Sequence, residues 1–303
     1  MPSTVRSTSA AAALIVLFAV LAAWTGELLA PAVFAALDWM PYDLWHTYRS
    51  PVPPSPSIIL ITRDAAGEAR FGTGTWDYAL FARAITALGR AGAAVVGLDV
   101  QVGGTSPPGR GGAASDAMLI EATRGVGRMV YPVTVQPAAE TTAHESPTVS
   151  MPAHRSWPDV PQTTLSRLPE VILTGGPRAS LAQHAAGLGH VMISADKDGV
   201  VRRVPLYVHV DDRAIPAFSM ALLTSFLHVS PEQIVMKAGH SITFRDARFP
   251  DGRVRRLSIP VDGHGRMLIS YTGREARRRF SPYPFSTSGR RLRMVNRKSF
   301  GRG

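Results

Sequence analysis

Two aspartates that follow predicted strands are the residues best placed to do chemistry. Asp64 is the last residue of the run SIILITRD, and Asp99 is the second-to-last residue of the apolar run AAVVGLDV. In open α/β sheets, ligands bind in the crevice outside the carboxyl ends of the strands. Two carboxylates at that edge could hold a cation, pair with an arginine, or accept hydrogen bonds from a ligand. The structural alternative is that each aspartate caps a turn, a common role for this residue at strand ends.

A second candidate lies in the run DKDGVVRR at residues 196–203. Asp196 and Asp198 resemble the opening of a calcium loop, but two valines stand where oxygen ligands are required. An Asp-Gly hairpin turn is therefore favoured. Arg202 and Arg203 point to opposite faces of the returning strand, so at most one of them can be buried. A buried arginine needs an acidic residue or an anionic ligand beside it. The candidate ligand-binding residues are Asp64, Asp99, Arg202 and Arg203.

The sequence lacks the motifs that identify a reaction. It contains no GxGxxG, GxxxxGK[ST], GxSxG or HExxH, and its nine histidines never fall at i, i+4 spacing. It has no cysteine, which excludes disulfides, thiolate metal sites and a cysteine nucleophile. We therefore predict no catalytic residue, no metal and no cofactor.

The elements that position these residues follow from hydrophobic periodicity. SIILITRD and AAVVGLDV are predicted as buried strands, and residues 76–88 place apolar side chains on one helical face. Strand, helix and strand in this order predict a βαβ unit with parallel, adjacent strands. Ser115 is predicted to cap the next helix, and residues 127–135 form a third strand.

The second half of the chain favours antiparallel strands. Residues 190–210 are two strand-like runs around an Asp-Gly turn, and Ser230 to Gln233 match a capping box. SITF, RRLSIP and RMLISY follow as strands. The predicted fold class is α/β: an N-terminal transmembrane helix, then a domain with a parallel βαβ front half and antiparallel strands behind it.

The run AAAALIVLFAVLAAWTG begins at residue 10, carries no charge and is just long enough to span a bilayer. Arg6 precedes it, whereas Glu27, Asp38 and Asp43 follow it before the next cation. This asymmetry predicts a cytoplasmic N-terminus and an exported body. The alternative is a signal peptide cleaved near residues 30–32, where small residues have the spacing of a cleavage site. Both interpretations place the body outside the cytoplasm.

The net charge of +11 is concentrated at one end of the chain. Residues 274–303 contain nine arginines and one lysine against one glutamate, which is +9 and leaves +2 for the first 273 residues. The body is therefore not predicted to bind nucleic acid. The tail could bind anionic lipid or nucleic acid, but its composition favours a disordered segment, or one read out of frame.

The order of several runs resembles the CHASE type 2 (CHASE2) domain, the extracytoplasmic sensor of bacterial receptors. These runs are WMPYDLWHTYRSPVPPSPSIILITRD, WDYALFARAITALGRAGAAVVGLDV, GLGHVMISADKDGVVRRVPL, PAFSMALL and MLISYTG, between Leu37 and Gly273. The resemblance implies a non-enzymatic sensor that normally continues into membrane helices and a cyclase or kinase module. Here the basic tail follows instead, which suggests a truncated receptor. Tyr78 stands where the family pattern usually has an arginine.

Together these observations predict a membrane-anchored sensory domain in a bacterial inner membrane, crossing it once. Its expected partners are the membrane, an unknown small-molecule or envelope signal, and a second copy or a partner receptor, but no nucleic acid. The alternatives are an exported hydrolase using Asp64 and Asp99, and a purely structural or interaction module. The predicted segments are a cytoplasmic N-terminus (1–9), transmembrane helix (10–30), juxtamembrane segment and proline-rich spacer (31–57), sensor domain (58–273) and basic tail (274–303).

Overall fold

The computed structural model describes residues 3–50, 52, 55–106, 109–138, 154, 157–272 and 283–284. The chain forms two compact units, each assembled from separate stretches of sequence. Unit 1 comprises Met1–Ser55, Ala195–Arg202 and Ser270–Phe280. Unit 2 comprises Pro56–Ser194, Arg203–Ile269 and Ser281–Gly303. The expected tail lies outside the described residues except for Tyr283 and Pro284. Pro51, Pro53 and Pro54 of the proline-rich spacer also lie outside them.

Unit 1 contains two consecutive helices. Helix α1 spans Ser3–Leu29 and α2 spans Pro31–Tyr48, with a break at Ala30. Within α1, Ala11–Leu29 has a mean hydropathy of 2.1 and is not buried by the rest of the chain. This stretch is long and apolar enough to cross a membrane, in agreement with the span predicted for residues 10–30. Pro31 opens α2, a position where its missing N–H costs no helical hydrogen bond.

Unit 2 begins with a mixed sheet around β3 (Met129–Pro137), which is buried over most of its length. Strands β2 (Val96–Gly97) and β5 (Gly187–His190) pair with β3 in parallel, and β4 (Val171–Gly175) pairs with it antiparallel. The crossover between β2 and β3 is helix α5 (Gly112–Val126). The mixed α/β class with a parallel βαβ unit in the front half is therefore confirmed, although that unit is β2–α5–β3 rather than the two strands and helix predicted between residues 57 and 100.

The predicted pairing of the first two strands is wrong. The run SIILITRD contributes only β1 (Ile61–Thr62), which pairs in parallel with β13 (Tyr283–Pro284) rather than with β2. The run is also not buried, since Ile58 is 64% and Leu60 50% exposed. Apolar composition identifies a segment that can form a strand, but it carries no information about which edge that strand joins.

The second half of unit 2 is built from antiparallel pairs, as predicted. Its strands are β6 (Arg203–Pro205), β7 (Tyr207–Val210), β8 (Arg213–Pro216), β9 (Ile234–Lys237), β10 (Ser241–Arg248), β11 (Val254–Pro260) and β12 (Arg266–Leu268). β7 pairs with β8, β10 lies between β9 and β11, and β12 pairs with β6. The hairpin predicted for residues 190–210 is wrong: the Asp-Gly turn forms, but β5 pairs with β3 and β6 with β12.

Helices cover this framework. They are α3 (Ala65–Phe71), α4 (Tyr78–Arg90), α6 (Gln162–Leu165), α7 (Ala179–Ala182) and α8 (Phe218–Phe226), with a 3-10 turn at Pro231–Gln233 that carries the predicted capping box. The predicted amphipathic helix is α4, and its Phe81 and Ile85 are buried with Trp76 in the core. Ser115 does not cap a helix, because α5 already starts at Gly112; the Ser115 hydroxyl instead donates to Asp77 Oδ1 at 2.5 Å.

Candidate functional site

The structure places Asp64 and Asp99 in different local roles. The Asp64 carboxylate caps α3 by accepting a hydrogen bond from the Gly67 N–H at 2.9 Å. Asp99 is exposed, and its side chain makes no hydrogen bond or ion pair within the described residues. Because β1 and β2 are not neighbours, the reason for expecting one crevice between these aspartates is lost. Ligand binding by either carboxylate remains a prediction.

Arg202 and Arg203 separate as the alternation along the chain predicts. Arg203 belongs to unit 2, and its Nε lies 3.8 Å from Asp262 Oδ2. Arg202 belongs to unit 1 and is only 2% exposed. The expectation that one arginine is buried and meets acidic residues is confirmed for Arg202. Its partners are three aspartates, which we name with it the Arg202 cage: Asp43, Asp196 and Asp198.

Every N–H direction of the guanidinium is used in the Arg202 cage. Asp43 accepts from Nε at 2.9 Å and from Nη2 at 2.6 Å. Asp198 accepts from Nη1 at 2.9 Å and contacts Nη2 at 2.7 Å, and Asp196 accepts from Nη1 at 3.3 Å. These five contacts match the five N–H donors of arginine. Two-pronged pairing of this kind restrains orientation as well as distance.

Charge in the Arg202 cage is unequal, with three carboxylates around one guanidinium. Hydrogen bonding to Arg202 lowers the pKa of Asp43, and it lowers the pKa of Asp198 to about 2. The same contacts raise the pKa of Arg202, and the hydrogen bond that Arg202 donates to Asp43 contributes most. Asp43, Asp198 and Arg202 are therefore ionised at neutral pH. The Trp39 ring lies 5.6 Å from the guanidinium carbon and adds a cation–π contact.

One face of α2 presents the residues that meet the rest of unit 1. Trp39, Tyr42, Asp43 and His46 follow the i, i+3, i+4, i+7 spacing of one helical face. The Tyr42 and His46 rings lie 4.4 Å apart, and His46 Nδ1 donates to the Tyr271 carbonyl at 2.9 Å. The Tyr271 hydroxyl in turn donates to the Val201 carbonyl. Through this face, α2 is joined both to the turn at 195–202 and to the segment at 270–272.

The connection continues beyond the C-terminal end of α2. Arg49 Nη1 donates to Ser270 Oγ at 3.1 Å, and the Val52 N–H donates to the Thr272 carbonyl at 3.3 Å. Asp43 and Arg202 are 159 residues apart in sequence, so their contact closes a long loop of chain. The local sequence around Asp43 does not predict that this residue pairs with Arg202. The sequence signal that pointed to the cage was the pair Asp196 and Asp198, which lie within six residues of Arg202 in the chain.

A second polar cluster, in unit 2, was not predicted. Asp116 is buried; it accepts from the Ser106 N–H at 2.9 Å and pairs with Arg178 Nη1 at 3.0 Å. Within the described residues, Nε and Nη2 of Arg178 are buried without hydrogen-bond partners. Burial raises the pKa of Tyr78, and the Arg178 charge partly opposes that shift. Arg178 thus supplies a cation near the position where the family resemblance expects an arginine.

Comparison with known protein families identifies the family of this chain. The model of the family described as the CHASE2 domain matches residues 12–291, which is most of the chain. No curated protein and no solved structure matches.

Proposed function

Because this chain belongs to the CHASE2 domain family, whose members are sensory domains of extracellular type, we propose that it is a membrane-anchored sensory domain outside the cytoplasm of a bacterium. Helix α1 would cross the inner membrane once, with the N-terminus in the cytoplasm. The rest of the described chain would face the periplasm or the cell exterior.

The observation that carries this proposal is the Arg202 cage. Helix α2 starts two residues after the apolar stretch Ala11–Leu29, so it is the first element to leave the membrane. The cage holds α2 to the turn 195–202 by ion pairs of 2.6 to 3.3 Å. A sensor must pass a change in its domain to the segment that enters the membrane. The cage is a rigid contact of the kind that such a transfer requires.

Sensing in this form needs two conformations that a ligand binds unequally. We propose that the Arg202 cage persists in both of them and transmits the difference to α2. Restrained ion pairs suit this role because hydrogen bonding to Arg202 keeps the Asp43 and Asp198 carboxylates charged at neutral pH. The charge distribution beside α1 supports the proposed orientation, since Arg6 precedes the span and acidic residues follow it.

Two alternative functions receive less support. A hydrolase built on Asp64 and Asp99 needs the two carboxylates to converge, whereas their strands pair with different partners and Asp64 is used as a helix cap. A purely structural module would be indicated by an ion pair that seals Asp64 against Arg202 or Arg203. Arg202 is instead held by Asp43, Asp196 and Asp198.

Reporter fusions after Gly273 test the proposed topology. An enzyme that is active only outside the cytoplasm should be active there, and a reporter that fluoresces only in the cytoplasm should be silent. The matched controls carry the same two reporters at the N-terminus, where the activities should reverse. Cytoplasmic activity of the fusion after Gly273 would refute the proposed orientation.

Of the four predicted ligand-binding residues, Asp99 keeps its carboxylate exposed, and we retain it as a proposed contact for a cationic ligand. Unfolding temperatures measured with calcium and magnesium test this. A cation-dependent rise that Asp99→Asn abolishes, and that Asp64→Asn leaves in place, is expected. Equal responses of both variants and the wild type would contradict a role for Asp99.

A further inference from the structure

Helix α2 has a second face that the described chain leaves largely exposed. Opposite the side chains that meet unit 1, it exposes an apolar face made of six residues. Each is 47% to 79% exposed: Val33, Leu37, Met40, Leu44, Trp45 and Tyr48. At 3.6 residues per turn, these side chains occupy one side of the helix, and none is charged. A soluble surface rarely leaves such a row of large apolar side chains without a partner.

Four of these residues have the spacing of a helix–helix seam. Val33, Leu37, Met40 and Leu44 are separated by four, three and four residues, the heptad pattern by which two parallel helices pair. Tyr48 continues along the edge of the seam, and Trp45 lies farther round the helix. Pro41, the proline inside α2, also falls beside the seam rather than on it. Its ring therefore does not separate two paired helices.

A lipid surface fits this face less well than a second helix does. Helices that lie on bilayers combine an apolar face with lysine or arginine on the polar side. Helix α2 contains no lysine or arginine, and its acidic residues Asp38 and Asp43 flank the polar side. An uncharged seam, in contrast, brings no like charges together when it meets its own copy.

We propose that two copies of this chain pair in parallel through the apolar face of α2. The proposal rests on the anchoring part of the proposed function, because α1 would give both copies the same polarity and place each seam residue opposite its counterpart. Eighteen residues make a helix of about 27 Å, which is short for a stable coiled coil in water. Confinement to one membrane raises the effective concentration and compensates for the short seam.

The dimer seam and the Arg202 cage use different faces of α2, because Asp43 lies about 90° around the helix axis from the centre of the seam. A shift of the turn 195–202 would therefore act on a helix whose other side is packed against its copy. The change would reach the membrane as a movement of two helices against each other rather than of one helix in water.

The chain contains no cysteine, so single cysteines report this contact without background. The full-length variants Leu37→Cys, Met40→Cys and Leu44→Cys, with Asp38→Cys as the exposed control off the seam, are oxidised in native membranes and separated on non-reducing gels. Disulfides need Cβ atoms within about 4.5 Å, so dimer yield at the three seam positions should exceed that of the control on the order of tenfold. Adding Leu44→Glu to Leu37→Cys should abolish that advantage, because two carboxylates would then meet in the seam.

Membrane fractionation of the same samples separates the two ways in which the test can fail. Equal or absent cross-linking at all four positions, with the chain in the membrane fraction, overturns the dimer and leaves the anchoring intact. Protection of Leu44→Cys from a water-soluble maleimide without any cross-link would assign the face to lipid and would also overturn the dimer. A chain missing from the membrane fraction contradicts the anchoring, and the dimer with it.

Discussion

The buried guanidinium of Arg202 is the side chain on which unit 1 depends most directly. Removing a charge from water costs several kcal/mol, and only close, well-oriented partners offset that cost. Here all five donors meet carboxylates, so the cation is fully paired. Three carboxyl groups lose their shared cation if the arginine is removed. The cage is therefore more sensitive to loss of its single cation than to loss of any one aspartate.

Arg202→Met should lower the free energy of unfolding by about 3 kcal/mol, the lower end of the range for broken buried ion pairs, because Asp43 is 42% exposed. The adjacent Arg203→Met is the matched control. It should cost less than about 1 kcal/mol, since its ion pair with Asp262 is long at 3.8 Å and lies near the surface. Urea unfolding of both variants in detergent measures the difference, and similar losses for the two arginines would contradict the role given to the cage.

His190 makes the stability of unit 2 depend on pH. It is 1% exposed, its Nδ1 accepts from the Met192 N–H at 3.2 Å, and Nε2 is buried without a partner within the described residues. Burial lowers the pKa of His190 to about 3, so the folded protein holds the neutral ring. The unfolded chain binds a proton near pH 6.5. Stability is thus fully present above that pH and is lost as the pH falls toward 3.

His190→Gln should reduce this acid sensitivity. Between pH 6.5 and 4.5, the wild type should lose up to about 1.4 kcal/mol per pH unit from this residue, whereas the variant should show a flatter profile. Replacing the exposed His240 by glutamine should leave the slope unchanged. The measurement is the urea midpoint of each protein across this pH range. If the His190→Gln variant keeps the pH slope of the wild type, another group is responsible for the acid sensitivity.

Helix α8 packs on strands that present glycine at the contact. A Cβ atom on Gly97 would lie 2.9 Å from the Phe218 ring, and one on Gly189 would lie 2.6 Å from the Phe218 Cα. Ring atoms can move, but the backbone of α8 cannot shift without moving the helix. The glycine in β5 therefore sets how closely this helix approaches the sheet.

Gly189→Ala should destabilise unit 2 by about 1–3 kcal/mol through overpacking against α8. Gly104→Ala is the control, because a Cβ there meets no atom within 4 Å and the backbone needs no positive φ. Thermal unfolding of the two variants should differ accordingly. A Gly189→Ala protein as stable as the control would mean that α8 is free to move away from β5.

At the level of the whole chain, the proposed anchor α1 would place every other element outside the cytoplasm. Val20→Arg places a charge near the centre of the stretch Ala11–Leu29, which costs about 2.5–3.5 kcal/mol on insertion scales. We expect a large share of this variant to leave the membrane fraction after alkaline extraction. Ser50→Arg adds the same charge outside the span and should remain with the membrane. Equal retention of both variants would contradict anchoring by α1.

Features that depend on neighbouring residues could be predicted from the sequence. The apolar stretch in α1, the amphipathic helix α4 and the capping box at Ser230–Gln233 all rest on spacings of a few residues. The sequence also predicted that at most one of Arg202 and Arg203 is buried, and Arg202 is the buried one. The physical reason is the same in each case: a local period or cap fixes which side of an element faces the core.

Partners distant in sequence could not be predicted, because a period describes the faces of an element but not its neighbour. β1 joined β13 instead of β2, and the turn at 196–199 formed without the hairpin expected around it. For the same reason, the contact between Asp43 and Arg202, which are 159 residues apart, could not be predicted. Only the folded chain brings those two charges together, since their contact requires the turn 195–202 to lie beside α2.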